Sequence, residues 1–272
     1  MKSNMKKSIL DLSIVALAVT GSLAISSSAD GAVVLQHWYE MGESGVLPSD
    51  SQGSADFGTA NGSAATIVAG SSGAPGSTSY LQYTAGSYSS GADLNALPND
   101  NFAIGGWFKV DTILAGRNDV EVFSGGSTGP KPVLMLGDGG GGDADGWAGT
   151  YTQVAWIGST RGTENSATAN AWAHLAIVRD NGTSSFYING TAQSGTTTGA
   201  PDWSSGATVG SLLGTTTLDG SQGIGVDDIR IYTFAAGEGG DAVSAFSTAI
   251  PEPSSAALLG LGSLALILRR RR

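Results

Sequence analysis

The chain has 272 residues, 42 of them glycine and none cysteine, and a formal net charge of −10. Between residues 33 and 250 the balance is steeper, six Lys and Arg against twenty Asp and Glu, a surface that repels nucleic acid and anionic lipid but suits neutral sugars and divalent cations. Disulfides and thiol catalysis are excluded, and heavy use of Gly, Ser, Thr and Ala favours many turns and short strands in one domain of about 218 residues.

Lys2, Lys6 and Lys7 precede an apolar stretch from Ile9 to Ile25, followed by small residues from Ser26 to Ala32. This is the n-region, h-region and cleavage-site order of a secretory signal peptide, so residues 1–32 are read as a signal helix cut after Ala29 or Ala32. Asp11 weakens the apolar stretch, and an uncleaved signal anchor is the alternative.

Val33 to Tyr39 is the first strand candidate, and it runs into the polar loop Glu40 to Asp50. From Ser51 to Ser79 few large residues occur, and only Ala65 to Ala69 stands out as a strand. Tyr80 to Tyr83 is the next. Phe102 to Val110 reads as a central strand in which Gly105 and Gly106 mark a bulge or the close approach of another backbone. Val120 to Ser124, Val133 to Leu136 and Tyr151 to Ile157 follow, the last two separated by the Gly- and Asp-rich loop Gly137 to Gly146. Asn181-Gly182 and Asn189-Gly190 each favour positive φ at both turn positions, so Trp172 to Ser194 reads as a three-stranded antiparallel meander. Thr208 to Val209 and Val226 to Phe234 complete the set, and Ala235 to Thr248 reads as a closing segment and linker.

About ten to fourteen short strands with no amphipathic helix of any length indicate an all-β fold of two packed antiparallel sheets. The sandwich is expected over residues 33–236 and a linker over 237–250. Beyond it, Pro251-Glu252-Pro253 precedes an apolar run from Ala256 to Leu268 and the cluster Arg269, Arg270, Arg271 and Arg272. The run reaches about 20 Å as a helix against a hydrocarbon core of about 30 Å, a short membrane helix that needs Ser254, Ser255 and snorkelling arginines to span. The arginines favour the cytoplasmic face and leave the body outside.

This order closely resembles the PEP-CTERM sorting signal of bacterial envelope proteins over residues 251–272. The resemblance implies an exosortase-type processing enzyme as partner and delivery to the cell envelope, outer surface or extracellular matrix, with membrane anchoring before processing; an unprocessed tail anchor is the alternative. The body resembles the laminin G-like, concanavalin A-like jelly-roll family over Val33 to Gly237. That likeness is carried by His37-Trp38-Tyr39, Phe102 to Val110, Trp172 to Arg179, Phe186 to Gly190 and Val226 to Tyr232.

Enzymes of this family that cleave glucans keep a Glu-x-Asp-x-x-Glu or Glu-x-Asp-x-Glu run on one strand, which points the carboxylates into one cleft. The chain has only Asp119-Val120-Glu121, read as a solvated strand end, so a non-catalytic role is expected. His37 and His174 are read as structural. Calcium takes six to eight oxygens, and Asp138, Asp143 and Asp145 are its candidate ligands, supported by the family's use of calcium at the sandwich rim. Gly141 and Thr152 stand where an EF-hand needs its leading and closing carboxylates, and a plain acidic turn is the alternative. Asp227 and Asp228 are read as backbone acceptors or partners of Arg230 in preference to metal ligands. Sugar rings stack on exposed aromatics, which makes Trp147, Trp156 and Trp203 the candidate ligand-binding residues, while Trp107 and Trp172 are assigned to the core. The reading is an exported, non-catalytic module that binds glycan, exopolysaccharide or a surface protein. Its rivals are a glycan-active hydrolase or lyase with two carboxylates about 5 to 10 Å apart and a structural matrix component.

Overall fold

The computed structural model describes residues 32–43, 45–70, 74–84, 86–111, 120–125, 132–137, 152–157, 160–161, 165–166, 170–213 and 223–248. Two eight-stranded antiparallel sheets face each other. In spatial order the first contains β14 (Thr191–Thr197), β13 (Thr183–Ile188), β12 (Ala173–Asp180), β6 (Phe102–Val110), β16 (Gly223–Thr233), β4 (Ser79–Thr84) and β3 (Thr66–Ala69), with β1 (Val34–Tyr39) also on β16. The second contains β10 (Thr160–Arg161), β9 (Thr152–Ile157), β8 (Pro132–Gly137), β7 (Val120–Ser124), β15 (Ala207–Leu213), β5 (Tyr88–Ala92) and β2 (Thr59–Asn61), with β11 (Asn165–Ser166) on β9.

Strand alternation explains the layers. Phe102, Ile104, Phe108 and Val110 of β6 point into the core between the sheets, where they join Leu175, Ile177, Phe186, Phe123, Leu134, Val209 and Ile231. Ala103 points the other way, into a second apolar cluster with Ala176, Val178, Tyr232 and Phe234. Every residue of β6 is therefore buried, which accounts for its near-continuous apolar sequence. The meander forms as expected: Asn181 and Gly182 have φ of 50° and 72°, Asn189 and Gly190 of 50° and 75°, the conformation that suits two-residue hairpins.

The expected linker is a correction. Gly239–Thr248 is an α-helix, α1, packed on the outer face of the first sheet through Ala242 and Phe246. Its N-terminal donors are met by Asp180, whose carboxylate accepts from Gly237 N–H (2.7 Å) and Gly239 N–H (3.2 Å). That cap lies 59 residues upstream of Gly239, and a local reading of Ala235 to Thr248 contains no sign of it.

The expected bulge at Gly105 and Gly106 lies across the ladder, in β16, where the register shifts between Asp227 and Arg230. The two glycines make room for side chains and, at Gly106, for the other expected feature, a close backbone approach, with Ile229 Cα 3.3 Å from where a Cβ would stand. A Cβ on Gly105 would lie 2.8 Å from Phe246 Cε1, and one on Gly106 would lie 2.8 Å from Ile229 Cγ1. Among the described residues no helix is long and apolar enough to cross a membrane. Residues 1–31, with the expected signal helix and the cleavage site after Ala29, and the tail from Pro251 to Arg272 lie outside the described residues.

Candidate functional site

One edge of β16 is shared between two partners. Residues Gly223 to Val226 pair with Thr84 to Leu81 of β4, and Ile229 to Thr233 pair with Tyr39 to Val34 of β1. Asp227 and Asp228 fall in the gap between these ladders. Asp228 takes φ 47°, a left-handed conformation that asparagine and aspartate tolerate best after glycine. The loop after β1 and the turn before β4 leave at the same gap, and together they wall a cleft of about 190 Å³.

The walls are built locally. Ala74-Pro75-Gly76-Ser77 is a turn closed by Ser77 N–H donating to Ala74 O (2.9 Å), with Pro preset at its second position and Gly76 at φ 89° in the third. Gly42, at φ 110°, lies where a Cβ would meet Ser79 Oγ at 3.2 Å and the Tyr80 backbone at 3.3 Å. That close approach carries Glu43 to the start of β4, where Ser79 Oγ–H donates to Glu43 Oε1 (2.7 Å).

The lining is aromatic and acidic. Trp38 pairs with Arg230 across β1 and β16, and the guanidinium lies 4.7 Å from the centre of the indole ring. Asp228 Oδ1 accepts from Trp38 Nε1 (2.7 Å) and from Arg230 Nε (2.8 Å), fixing both. Glu40, Glu43 and Asp227 complete the charged set. Asp227 is 1 % exposed; its Oδ2 accepts from Ala74 N–H (3.2 Å), while Oδ1 has no hydrogen-bond partner. Burial is the main reason its carboxyl is pushed up to about 8, with Glu43 and Asp228 adding repulsion and the Ser77 hydroxyl and Ala74 N–H opposing it.

Behind the cleft Asp50 organises the loop after β1. Its carboxylate accepts from Trp38, Gln52, Gly53 and Ala55 N–H and lies 2.7 Å from His37 Nδ1. Burial alone would raise its pKa, but hydrogen bonds from His37, Gly53, Trp38 and Ala55 outweigh burial and hold it below the ordinary value. His37 is structural here, and so is His174, which is buried against Trp107 and Phe246.

Of the three tryptophans expected to bind ligand, Trp203 is 5 % exposed and packs edge-on against Phe102 at 5.0 Å, so it offers no face to a sugar and belongs to the core. Trp156 lies on β9, but its side chain, like all of Trp147, is outside the described residues, as are Asp138, Asp143 and Asp145. Among the described residues no three imidazoles or carboxylates form a ready-made metal cage. Asp227 and Asp228 behave as their sequence context suggests, a backbone acceptor and a partner of Arg230. That Trp38, Glu40 and Glu43 join them was not foreseen; the adjacent pairs Trp38-Tyr39 and Asp227-Asp228 were visible, but only the register of β1 on β16 brings them together.

A family model described as the concanavalin A-like lectin/glucanases superfamily matches residues 75–238, and one for the PEP-CTERM protein-sorting motif matches residues 249–272. Among solved structures the chain is similar to domain 4 of AbnA, a GH43 extracellular arabinanase from Geobacillus stearothermophilus, in complex with arabinotriose. The identity is 19 %, the TM-score 0.54, and the match covers 75 % of this chain and 94 % of that one. The receptor binding domain of botulinum neurotoxin D matches at 13 % identity and a TM-score of 0.46, over 80 % of this chain and 53 % of that one. Trypanosoma rangeli sialidase in complex with the inhibitor DANA matches at 15 % and 0.48, over 72 % and 30 %. The first of these shares the fold, and the other two are too distant to add to it. No curated protein sequence matches.

Proposed function

The chain belongs to the concanavalin A-like lectin/glucanase superfamily, and on that premise we propose that it is a non-catalytic glycan-binding module of the cell envelope. Its PEP-CTERM motif marks it as an exported, envelope-directed protein that an exosortase processes. Residence at the outer surface or in the extracellular matrix, with membrane anchoring before the tail is cut, is part of the proposal. The observation that carries the binding role is the cleft at the β1, β4 and β16 junction, where the Trp38 ring stands beside Arg230 and several carboxylates. An aromatic face flanked by hydrogen-bonding groups is what a sugar ring needs, since its C–H faces stack while its hydroxyls are directional.

The test is binding of the full-length protein to a panel of neutral glycans, arabinan oligosaccharides among them, and to exopolysaccharide from the native host. Trp38→Ala is expected to weaken binding at least tenfold, while a blank panel with folded protein would overturn the reading. Mass spectrometry of the mature protein from its host tests the tail: loss of everything beyond the Pro251 region supports processing, and an intact Arg272 refutes it.

A hydrolase reading has one observation in its favour, a buried carboxyl held up to about 8 next to Glu43 and Asp228, as a general acid requires. Asp227 is nevertheless at the floor, 1 % exposed, in a cleft of about 190 Å³, below the ~300 Å³ usual for sites that enclose a ligand. A bond to be cut needs sugar on both sides, for which this space is too small. Release of reducing ends from the same panel, abolished in Asp227→Asn, would favour the enzyme instead.

A further inference from the structure

We propose that a second cleft, on the opposite face of β1 from Trp38, binds a neutral sugar carrying an acetamido group, with the His37 imidazole and the Gln36 amide as its recognition edge. The site goes beyond the binding role above and shares no lining residue with the Trp38 cleft.

The cleft lies where the first half of β1 meets the end of β16 and the turn of Ala96-Leu97-Pro98 that precedes β6. Its volume is about 450 Å³, inside the ~300–1,000 Å³ usual for small-ligand sites. Neighbouring residues of a strand face opposite ways, so Trp38 stands over the outer surface of the first sheet while His37, paired with Ile231 of the core, turns to this side. The register slips between Leu35 and His37, and the extra residue, Gln36, swings its amide to Thr233, donating from Nε2 to Oγ1 (2.9 Å). His37 is locked in place. Its Nδ1 lies 2.7 Å from Oδ2 of the fully buried Asp50 side chain, and Gly53 closes over the pair so tightly that a Cβ there would stand 2.5 Å from Asp50 Oδ2 and 2.9 Å from His37 Nδ1. Fastening the loop uses that one nitrogen. Asp50 is held ionised, so the Nδ1 proton faces it and Nε2 of the neutral ring is left as an acceptor. Neither His37 Nε2 nor Gln36 Oε1 has a partner among the described residues.

The lining selects the ligand. Among the described residues it holds no carboxylate, lysine or arginine, so a charged molecule would shed water and gain no counter-charge. Two adjacent acceptors call for donors on one edge of the ligand, which excludes a bare hydrocarbon. The rest of the wall is apolar: Val34, 46 % exposed and one of the few large hydrophobic side chains left in water among the described residues, stands there with Leu97 and Phe234. A plain hexose would leave hydroxyls unpaired against that wall. An acetamido group carries an N–H, a carbonyl and a methyl on one short arm. Its N–H and a ring hydroxyl meet Gln36 Oε1 and His37 Nε2, its carbonyl accepts from the Thr233 hydroxyl, and its methyl covers Val34.

Full-length protein is titrated with N-acetylglucosamine, its β-1,4-linked disaccharide and, for comparison, glucose, followed by NMR of the His37 ring and by calorimetry. Saturable binding of the acetylated sugars in the millimolar range is expected, at least tenfold tighter than glucose, with the His37 ring signals shifting. His37→Asn keeps an N–H for Asp50 but lacks the Nε2 acceptor, so its melting temperature should stay near the parent's while affinity falls about tenfold. Val34→Glu, at an exposed position, puts a charge on the apolar wall and should abolish binding; it decides the matter alone if His37→Asn fails to fold. The proposal is overturned by folded parent protein that binds no acetylated sugar or prefers it no more than glucose, and equally by a folded His37→Asn or Val34→Glu that binds as the parent does. Trp38→Ala separates the two clefts: N-acetylglucosamine binding unchanged in that variant, with a blank glycan panel otherwise, sinks only the Trp38 cleft, and panel binding that needs Trp38, without any response to N-acetylglucosamine at His37, sinks only this one.

Discussion

Replacing Phe246 with alanine should unlock the only deeply buried imidazole among the described residues. Phe246 is 4 % exposed and its ring centre lies 5.2 Å from that of His174 and 5.1 Å from that of Tyr232. Burial first, and the charge of Arg230 second, lower the His174 pKa to about 4 from 6.5. The unfolded chain takes up a proton near pH 6.5 that the folded chain refuses until about pH 4, so the native state is fully favoured above 6.5 and loses ground between 6.5 and 4. At about 1.4 kcal/mol per pH unit this difference amounts to about 3 kcal/mol. Phe→Ala in a core costs about 3–5 kcal/mol, but α1 is a single surface helix and its end can adjust, so about 2–3 kcal/mol is expected at pH 8. With the ring gone the imidazole is partly hydrated, its pKa climbs toward 6.5, and the penalty of the substitution should shrink as pH falls from 8 to 5. Urea unfolding at both pH values, with an NMR titration of the His174 ring and His37 resolved in the same spectra, measures each part. A parent His174 that titrates near 6.5, or a penalty equal at the two pH values, refutes the reasoning.

Four further changes probe other joints. Asp50→Ala removes the acceptor of four backbone N–H groups and the partner of His37, and should cost about 2–4 kcal/mol by calorimetry. Because the Asp50 pKa is held below 3.8 in the folded state, the parent should lose this contribution as pH falls through and below 4, and the variant should lack that acid-dependent loss. Arg179→Met keeps bulk but breaks the fork that donates to Asn99 O (2.7 Å), Ser184 Oγ (3.1 Å) and Thr198 O (3.2 Å); denaturant unfolding should show a loss of about 2–4 kcal/mol. Gly106→Ala forces a Cβ to 2.8 Å from Ile229 Cγ1 and should cost about 1–3 kcal/mol, whereas Gly190→Ala, at φ 75° with nothing within 4 Å, should cost only the backbone term of about 1 kcal/mol. Equal melting temperatures for the two alanine variants would contradict this ordering.

The strands rich in large apolar residues were legible because burial on one or both faces writes itself into sequence. β6, β7, β12 and β13 are read nearly to their ends, and the two Asn-Gly turns between β12, β13 and β14 have the conformation their residues demand. β5 was not legible because its buried positions are Ser89, whose hydroxyl reaches the buried Tyr83 OH at 3.1 Å, and the small Ala92, so no large apolar residue marks the alternation. β2, three residues of Thr-Ala-Asn on a sheet edge, carries no apolar signal at all. α1 escaped notice because two residues, Ala242 and Phe246, do most of its packing and its cap comes from another hairpin. The site was half legible. Asp227 and Asp228 stood out as a charged pair before the last strand, but what surrounds them depends on the order of strands along β16, and strand order is not written in local periodicity. The tryptophans chosen as loop-proximal went astray at Trp203 because proximity to turns does not reveal which side of the chain faces the opposite sheet.

The shared edge of β16 bears on how the domain comes into being. Val34, at the front of the sandwich, finds its ladder partner in Thr233, some 199 residues later. The first sheet therefore cannot be completed until nearly the whole body is available to pair, and contacts so distant in sequence form slowly. A topology that makes the earliest strand wait for the latest one defers the closure of the sheet until its last long strand has been made.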